Sequence, residues 1–277
     1  MHQRPSATLG TIAVLMLAAG LLLYHFTGSG RSGPPPRLAN EPSPSPAPMP
    51  LADAARAGDV AAIKAAIAAG ADVNLPIADG PSQGLYPLHL AASIAPPAAI
   101  LALTGAGASV DARTADGRTP LMFASEYGRP DTLAALAGAN AALDARDAAG
   151  RTALVIAATA GRADAVKTLL AAGASIGAPD EGGRTALSHV AGSAADPAIL
   201  LILLEASADP DSPDNQGVTP LMYAADRGDP DKVLALLNAG ASPRAKSADG
   251  RTALDRAQAR SDEGGKRCVL VLEQAGP

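Results

Sequence analysis

GRTPLMFAS at residues 117–125 returns as GRTALVIAA at 150–158, GRTALSHVA at 183–191, GVTPLMYAA at 217–225 and GRTALDRAQ at 250–258, and GLYPLHLAA precedes it at 84–92. The glycines that open these phrases are 33, 33, 33, 34 and 33 residues apart. A second phrase keeps step with the first: GADVN (70–74), GASVD (107–111), NAALD (140–144), GASIG (173–177), SADPD (207–211) and GASPR (240–244). So many coincident registers define an internal repeat, and a fixed period overrides any domain count taken from length.

The chemistry within one period predicts a turn and two short helices. Asp-Gly or Gly-Gly supplies the tight turn, because glycine tolerates positive φ. Thr119, Thr152, Thr185, Thr219 and Thr252 stand where a hydroxyl N-cap belongs, and Pro120 and Pro220 occupy the first helical position that suits proline. Leu121, Leu154, Leu187, Leu221 and Leu254 open a buried stripe, with Ala124, Ala157, Ala224 and Ala257 one turn on, small enough for helices to approach closely. Gly128, Gly161 and Gly228 end this helix as left-handed C-caps. The second helix adds Leu133/Leu136, Val166/Leu169/Leu170, Leu200/Leu203/Leu204 and Val233/Leu236/Leu237 at helical spacing. Gly70, Gly107, Gly173 and Gly240 cap it, and Asn140 takes that place in one unit as the next-best left-handed residue.

A period near 33, a turn with two short helices and a T-P-L-H-x-A-like phrase resemble the ankyrin repeat, over residues 51–277. The resemblance implies an all-α ankyrin-repeat solenoid of stacked helix pairs with β-hairpin-like fingers to one side. The units fall near 51–77 (a helical pair without a finger), 78–114, 115–147, 148–180, 181–214, 215–247 and 248–277. Only the unit at 78–114 keeps the family histidine, His89, which we expect to be a helix-cap partner rather than a ligand. That unit carries Tyr86 in place of the capping Thr and a turn about four residues longer. Asp255 and Arg256 suit a carboxyl-terminal cap facing water.

Composition agrees with close-packed helices. The 66 alanines are residues with the best helix propensity and no rotamers to order, and six aromatics without Trp leave few bulky side chains. Collagen, coiled-coil and disordered readings fail, because no glycine period exists, proline is frequent and 48 % of residues are apolar. Net charge is −5: residues 1–50 hold Arg4, Arg31 and Arg37 against Glu41, so residues 51–277 carry −7. No basic footprint or stacking aromatics suit a nucleic acid. One cysteine, Cys268, excludes an internal disulfide framework and a cysteine-rich zinc site, and fits a small apolar filler.

Residues 7–26, ATLGTIAVLMLAAGLLLYHF, carry no charge and as a helix would rise about 30 Å, the thickness of a bilayer core. After a short tail (1–6), this stretch reads as an uncleaved transmembrane signal anchor. Cleavage at Thr27-Gly28-Ser29 is the alternative, although the apolar run exceeds a usual signal core. Residues 27–50 form a linker in which eight of the last nineteen residues are proline, a semi-rigid spacer reaching roughly 60 Å. The expectation is a single-pass protein of a bacterial inner membrane with its repeats in the periplasm, or else a secreted one.

Little in the chain suggests catalysis. Gly173-Ala174-Ser175-Ile176-Gly177 matches G-x-S-x-G, but a nucleophile elbow needs a strand-to-helix turn and this phrase follows a helix. No phosphate loop or H-E-x-x-H occurs, and His2, His25, His89 and His189 are too dispersed for a ligand set. We therefore expect no catalytic residue, cofactor or metal. What the ankyrin resemblance implies instead is a concave groove of finger tips and first-helix faces that contacts a protein partner. Carried over by register, its residues are Leu85, Arg118, Arg151, Arg184, Val218 and Arg251, with Asp116, Glu181, Asn215, Gln216 and Asp249 beside them and Glu126, Tyr127, Asp226 and Arg227 on the helix faces. The recurrent arginines suit carboxylate contacts, or they pair with neighbouring acids of the chain. An exposed Tyr127 suits an interface anchor. The expected function is a monomeric, non-enzymatic protein-binding scaffold held at a membrane. A secreted effector-like protein and an accessory factor protecting an envelope enzyme such as a catalase are the alternatives.

Overall fold

The computed structural model describes residues 49–78, 80 and 82–275. The tail, the apolar stretch 7–26 and nearly all of the linker lie outside the described residues. No helix among the described residues is long and apolar enough to cross a membrane.

Fourteen helices alternate between two layers in the described residues. The inner layer holds α1 (Leu51–Ala57), α3 (Pro87–Ile94), α5 (Pro120–Glu126), α7 (Ala153–Thr159), α9 (Ala186–Gly192), α11 (Pro220–Arg227) and α13 (Ala253–Gln258). The outer layer holds α2 (Val60–Ala68), α4 (Pro97–Gly105), α6 (Pro130–Gly138), α8 (Ala163–Ala171), α10 (Pro197–Glu205), α12 (Pro230–Asn238) and α14 (Glu263–Gln274). Each helix packs on its own partner and on the same-layer helix of the next unit. That contact pattern is a solenoid, in which each unit covers the apolar face its neighbour exposes.

The core follows the repeat register. Ala91, Ala124, Ala157, Ala224 and Ala257 occupy one equivalent position in successive inner helices, where α9 has Val190, and all six are fully buried. The alanines' lack of rotamer entropy and short side chain let inner helices stack closely. Leu88, Leu121, Leu154, Leu187 and Leu221 face Ile100, Leu103, Leu133, Leu136, Val166, Leu169, Leu200, Leu203, Val233 and Leu236 across the two layers. Each such burial contributes about 1.5–3 kcal/mol.

Capping matches the expected chemistry with two departures. Thr152, Thr185, Thr219 and Thr252 accept from the amides of Val155, Ser188, Met222 and Asp255. Thr119 stands at the same place, but its buried hydroxyl has no partner among the described residues, and its own amide meets the Met122 sulfur at 3.5 Å. Asn140 is left-handed as expected, at φ 62°, and Ser207 is too, at φ 67°, where other units use glycine. The register put Ser207 in the cap phrase; nothing local to serine signalled a left-handed residue.

Two inner helices, α3 and α9, end in an extended residue, Ala95 and Ser193, where α1, α5, α7 and α11 are followed by a left-handed glycine. The next unit satisfies their open carbonyls. Arg129 donates to Ala95 O at 3.0 Å, and Lys232, fully buried, donates through Nζ to Val190 O at 3.0 Å and Ser193 O at 2.8 Å. Cations suit helix C-termini because the carbonyl ends of the peptide dipoles collect there.

The fingers contain no strand among the described residues. Each is a tight turn closed by one pair of bonds, such as Asp147 N to Arg151 O at 3.0 Å and Gly150 N to Asp147 O at 2.9 Å. One rung is too short for a ladder, so the hairpin likeness stops at the turn. Single bonds join adjacent fingers: Ala148 N to Asp116 O, Asn215 N to Gly182 O, and Ala248 N to Gln216 O. Gly183 illustrates why glycine stands here: its φ is +82°, and a Cβ would sit 2.6 Å from Asn215 N in the next finger.

Candidate functional site

The finger bases and the inner helices meet along one face, and the repeat places the same positions there in every unit. Residue 114 and its equivalents 147, 180, 214 and 247 are Thr, Asp, Asp, Asp and Ser. All three aspartates are buried. In each, Oδ1 accepts two backbone amides of its own finger: Ala149 and Arg151 for Asp147, Gly182 and Arg184 for Asp180, and Gln216 and Val218 for Asp214. The carboxylate thus replaces the missing backbone partners of the turn.

The second oxygen distinguishes the fingers. Asp147 Oδ2 accepts from Arg151 Nε at 2.9 Å and Nη2 at 2.7 Å. Asp180 Oδ2 accepts from Arg184 Nε at 3.2 Å, from Arg184 Nη2 at 3.1 Å and from His189 Nε2 at 2.8 Å. Asp214 Oδ2 accepts from the Tyr223 hydroxyl at 2.5 Å, and Val218 stands where the other two fingers have arginine. Where the base residue is Thr114 or Ser247, its hydroxyl bonds instead to Asp116 or Asp249 nearer the tip.

These contacts set the electrostatics. Burial raises the Asp147 carboxyl, but the Arg151 side-chain and backbone bonds outweigh it and hold the group below the usual carboxylate range. Burial acts likewise on Asp180, where the Arg184 amide and the His189 ring prevail and the result is again low. Burial pushes His189 below its ordinary value despite Asp180, which favours a neutral ring donating through Nε2. Burial and the bond to Asp214 push Tyr223 up to about 12.

The register-derived residues fall on this face with unequal freedom. Arg118 is bonded to Glu126, and its guanidinium lies 4.5 Å from the centre of the Phe123 ring. Arg151 and Arg184 cover their buried aspartates, with side chains 43 % exposed. Leu85 is half-buried against the core and Val218 is buried, so neither offers a finger-tip contact. Asp226 pairs with Arg256 of the next unit at 2.6 Å. Asn215 donates from Nδ2 to Glu181 O, and the exposed Gln216 gives its carbonyl to the next finger. Glu181, Tyr127 and Arg227 are exposed, and none has a side-chain hydrogen bond or ion pair among the described residues. Arg251 is 62 % exposed and only loosely placed, 3.7 Å from Asp249.

Behind the finger bases stands an inner wall that the register of the fingers does not reveal. The residues six beyond the phrase glycine, Leu90, Phe123, Ile156, His189, Tyr223 and Arg256, change from apolar to polar along the solenoid. The signal that would have found Asp147 and Asp180 is Asp four residues before the recurrent arginine, in DAAGR and DEGGR; Asp214, in DNQGV, shares the spacing without the arginine.

Elsewhere, the chemistry is structural. His89 is fully buried, accepts at Nδ1 from Tyr86 N at 3.2 Å and donates from Nε2 to Arg118 O at 3.1 Å, which joins two units. Ser175 lies in the turn after α8, its amide donated to Asp144 Oδ1. Burial pushes the Cys268 thiol up to about 11, so little of it is thiolate at neutral pH. No group of three or more metal-ligating side chains occurs among the described residues.

A family profile described as ankyrin repeats (3 copies) matches residues 51–147 and 136–214, and one described as ankyrin repeats (many copies) matches residues 201–257. Among solved structures, the ankyrin repeat domain of Bcl-3, titled a unique member of the IkappaB protein family, is similar at 28 % identity and a TM-score of 0.69. The match covers 81 % of this chain and 98 % of that one. The human ASB11 ankyrin repeat domain is similar at 27 % identity and a TM-score of 0.69, covering 83 % of this chain and 99 % of that one. No curated protein matches the chain by sequence.

Proposed function

The chain belongs to the ankyrin-repeat family, whose domains are generally protein-interaction modules, and on that premise we propose that it is a non-catalytic scaffold that holds a protein partner beside a membrane. The partner lies in the groove between fingers and inner helices, and residues 7–26 are the anchor, with the proline-rich linker as spacer. The observation that supports the reading most is the fixed register of that face: backbone bonds tie three pairs of neighbouring finger turns, and His189 and Tyr223 tie two turns to the helices behind them, which makes a preorganised surface. Preorganisation lowers the ordering cost of binding. Tyr127, an exposed aromatic on a rigid helix end, is its best single anchor.

The repeats lie outside the cytoplasm in this reading, and a reporter enzyme fused to the carboxyl end and active only in the cytoplasm would refute that. Recovery of a soluble form starting near residue 30 would favour release by cleavage over anchoring. Crosslinking in membranes followed by partner identification tests the scaffold itself. The discriminating variant combines Tyr127→Ala, Glu181→Ala and Arg227→Ala, three exposed side chains with no partner of their own among the described residues. Arg151 and Arg184 are poor choices, because removing either takes the cation from a buried carboxylate that holds its own finger turn, so lost binding and a disturbed turn would not be told apart. The triple variant should lose the crosslinked partner at unchanged helical content; full recovery overturns the groove assignment.

A further inference from the structure

We propose that the finger based on Asp214 takes a lysine or arginine side chain from the bound partner, seated on Asp214 where the fingers based on Asp147 and Asp180 use an arginine of their own. The inference rests on the groove reading above and names the chemistry at its centre. Three buried aspartates sit at one register with the same two amides on Oδ1, so their environments are comparable. In two of them a guanidinium four residues on binds Oδ2 at 2.7–3.2 Å. In the third that residue is Val218, and no cation of the described residues forms an ion pair with Asp214.

The Tyr223 hydroxyl on Asp214 Oδ2 does not close the seat. Asp180 Oδ2 accepts at once from His189, at the register of Tyr223, and from Arg184. A carboxylate oxygen has lone-pair room for both donors. The seat is also reachable, since the guanidinium side chains in the equivalent places are 43 % exposed. A buried carboxylate hydrogen-bonded by a neutral phenol gains from an added cation, because charge-assisted bonds are about twice as strong as neutral ones. Charge on the neighbouring finger points the same way. Glu181 is exposed and unpaired among the described residues, whereas Arg184 and Arg151 are already neutralised by their own aspartates. The arginine row therefore offers an acidic partner little net charge, while Asp214 itself has no cation of the described residues within ion-pair distance.

The test uses the full-length chain in mild detergent and a displayed library of random twelve-residue peptides. Selection should enrich one Lys or Arg position, and a synthetic peptide from the selected set should perturb the Tyr223 ring and the amides of residues 214–218 in NMR titration. Val218→Arg installs the arrangement of the other fingers and should weaken that peptide at least about tenfold by competing for Asp214. Asp214→Asn keeps an oxygen for the two finger amides, removes the charge and should weaken it similarly. Replacing the enriched residue of the peptide by norleucine should cost the wild-type chain the same factor and cost Val218→Arg nothing. Selection without a cationic position, or equal binding by both variants and the wild type, overturns the proposal. Neither result depends on the cellular partner: crosslinking lost in the Tyr127/Glu181/Arg227 variant but retained at full strength in Val218→Arg would leave the scaffold standing and remove this inference alone.

Discussion

Acidification should loosen the solenoid at the unit of α3 first, because His89 must be neutral for that unit to keep its joints. Burial lowers its pKa from 6.5 to about 4, against smaller opposing contributions from carbonyls near Nε2. The geometry agrees: Nδ1 accepts from Tyr86 N, so a proton there would face an N–H donor. In the unfolded chain His89 protonates near its ordinary value. Between about 6.5 and about 4 the unfolded state therefore binds one more proton, and falling pH favours unfolding. The contribution is complete above about 6.5 and exhausted near about 4, and its full size is about 3 kcal/mol at 1.36 kcal/mol per unit. Asp147 and Asp180, held below the ordinary carboxylate range, contribute stability above it and lose that contribution only at lower pH. A comparison with His89→Gln isolates the histidine, since Gln at the third helical position can still accept from the N-cap amide and does not titrate. Urea unfolding of both proteins by circular dichroism, from pH ~7.5 to pH ~4.5, measures the difference. The wild type should lose its advantage over the variant progressively across that range, by about 2–3 kcal/mol. A gap independent of pH would refute the assignment of a neutral, doubly bonded His89.

Lys232→Met should lower stability by about 2 kcal/mol, because two helix-end carbonyls lose a charged donor while the aliphatic stem is preserved. A urea midpoint equal to or above the wild type's would show instead that the buried ammonium is a net cost. Ser207→Gly should raise stability by about 0.5–1 kcal/mol, since φ 67° suits glycine and strains serine; an unchanged or lower midpoint counts against that account. The two changes lie in neighbouring units without shared bonds, so their effects should add in the double variant.

What the sequence by itself determined was the architecture. A 33-residue period, threonine and proline at helix starts and leucine pairs at helical spacing specify stacked helix pairs. Those are local rules repeated six times, and each unit meets only its neighbours. Alanine at residues 124, 157, 224 and 257 could be read as contact positions for the same reason. The tertiary structure decided which groups on the face of the finger bases are free. Arg151, Arg184 and Arg251 look alike in sequence, yet two cover buried carboxylates and the third is loosely held. Lys232 is fully buried, and its place is set by the helix end of the preceding unit, which takes its donor. Periodicity reports where a residue sits in its unit. Whether its charge is already neutralised depends on the side chains that stacking brings beside it, and spacing carries no record of those.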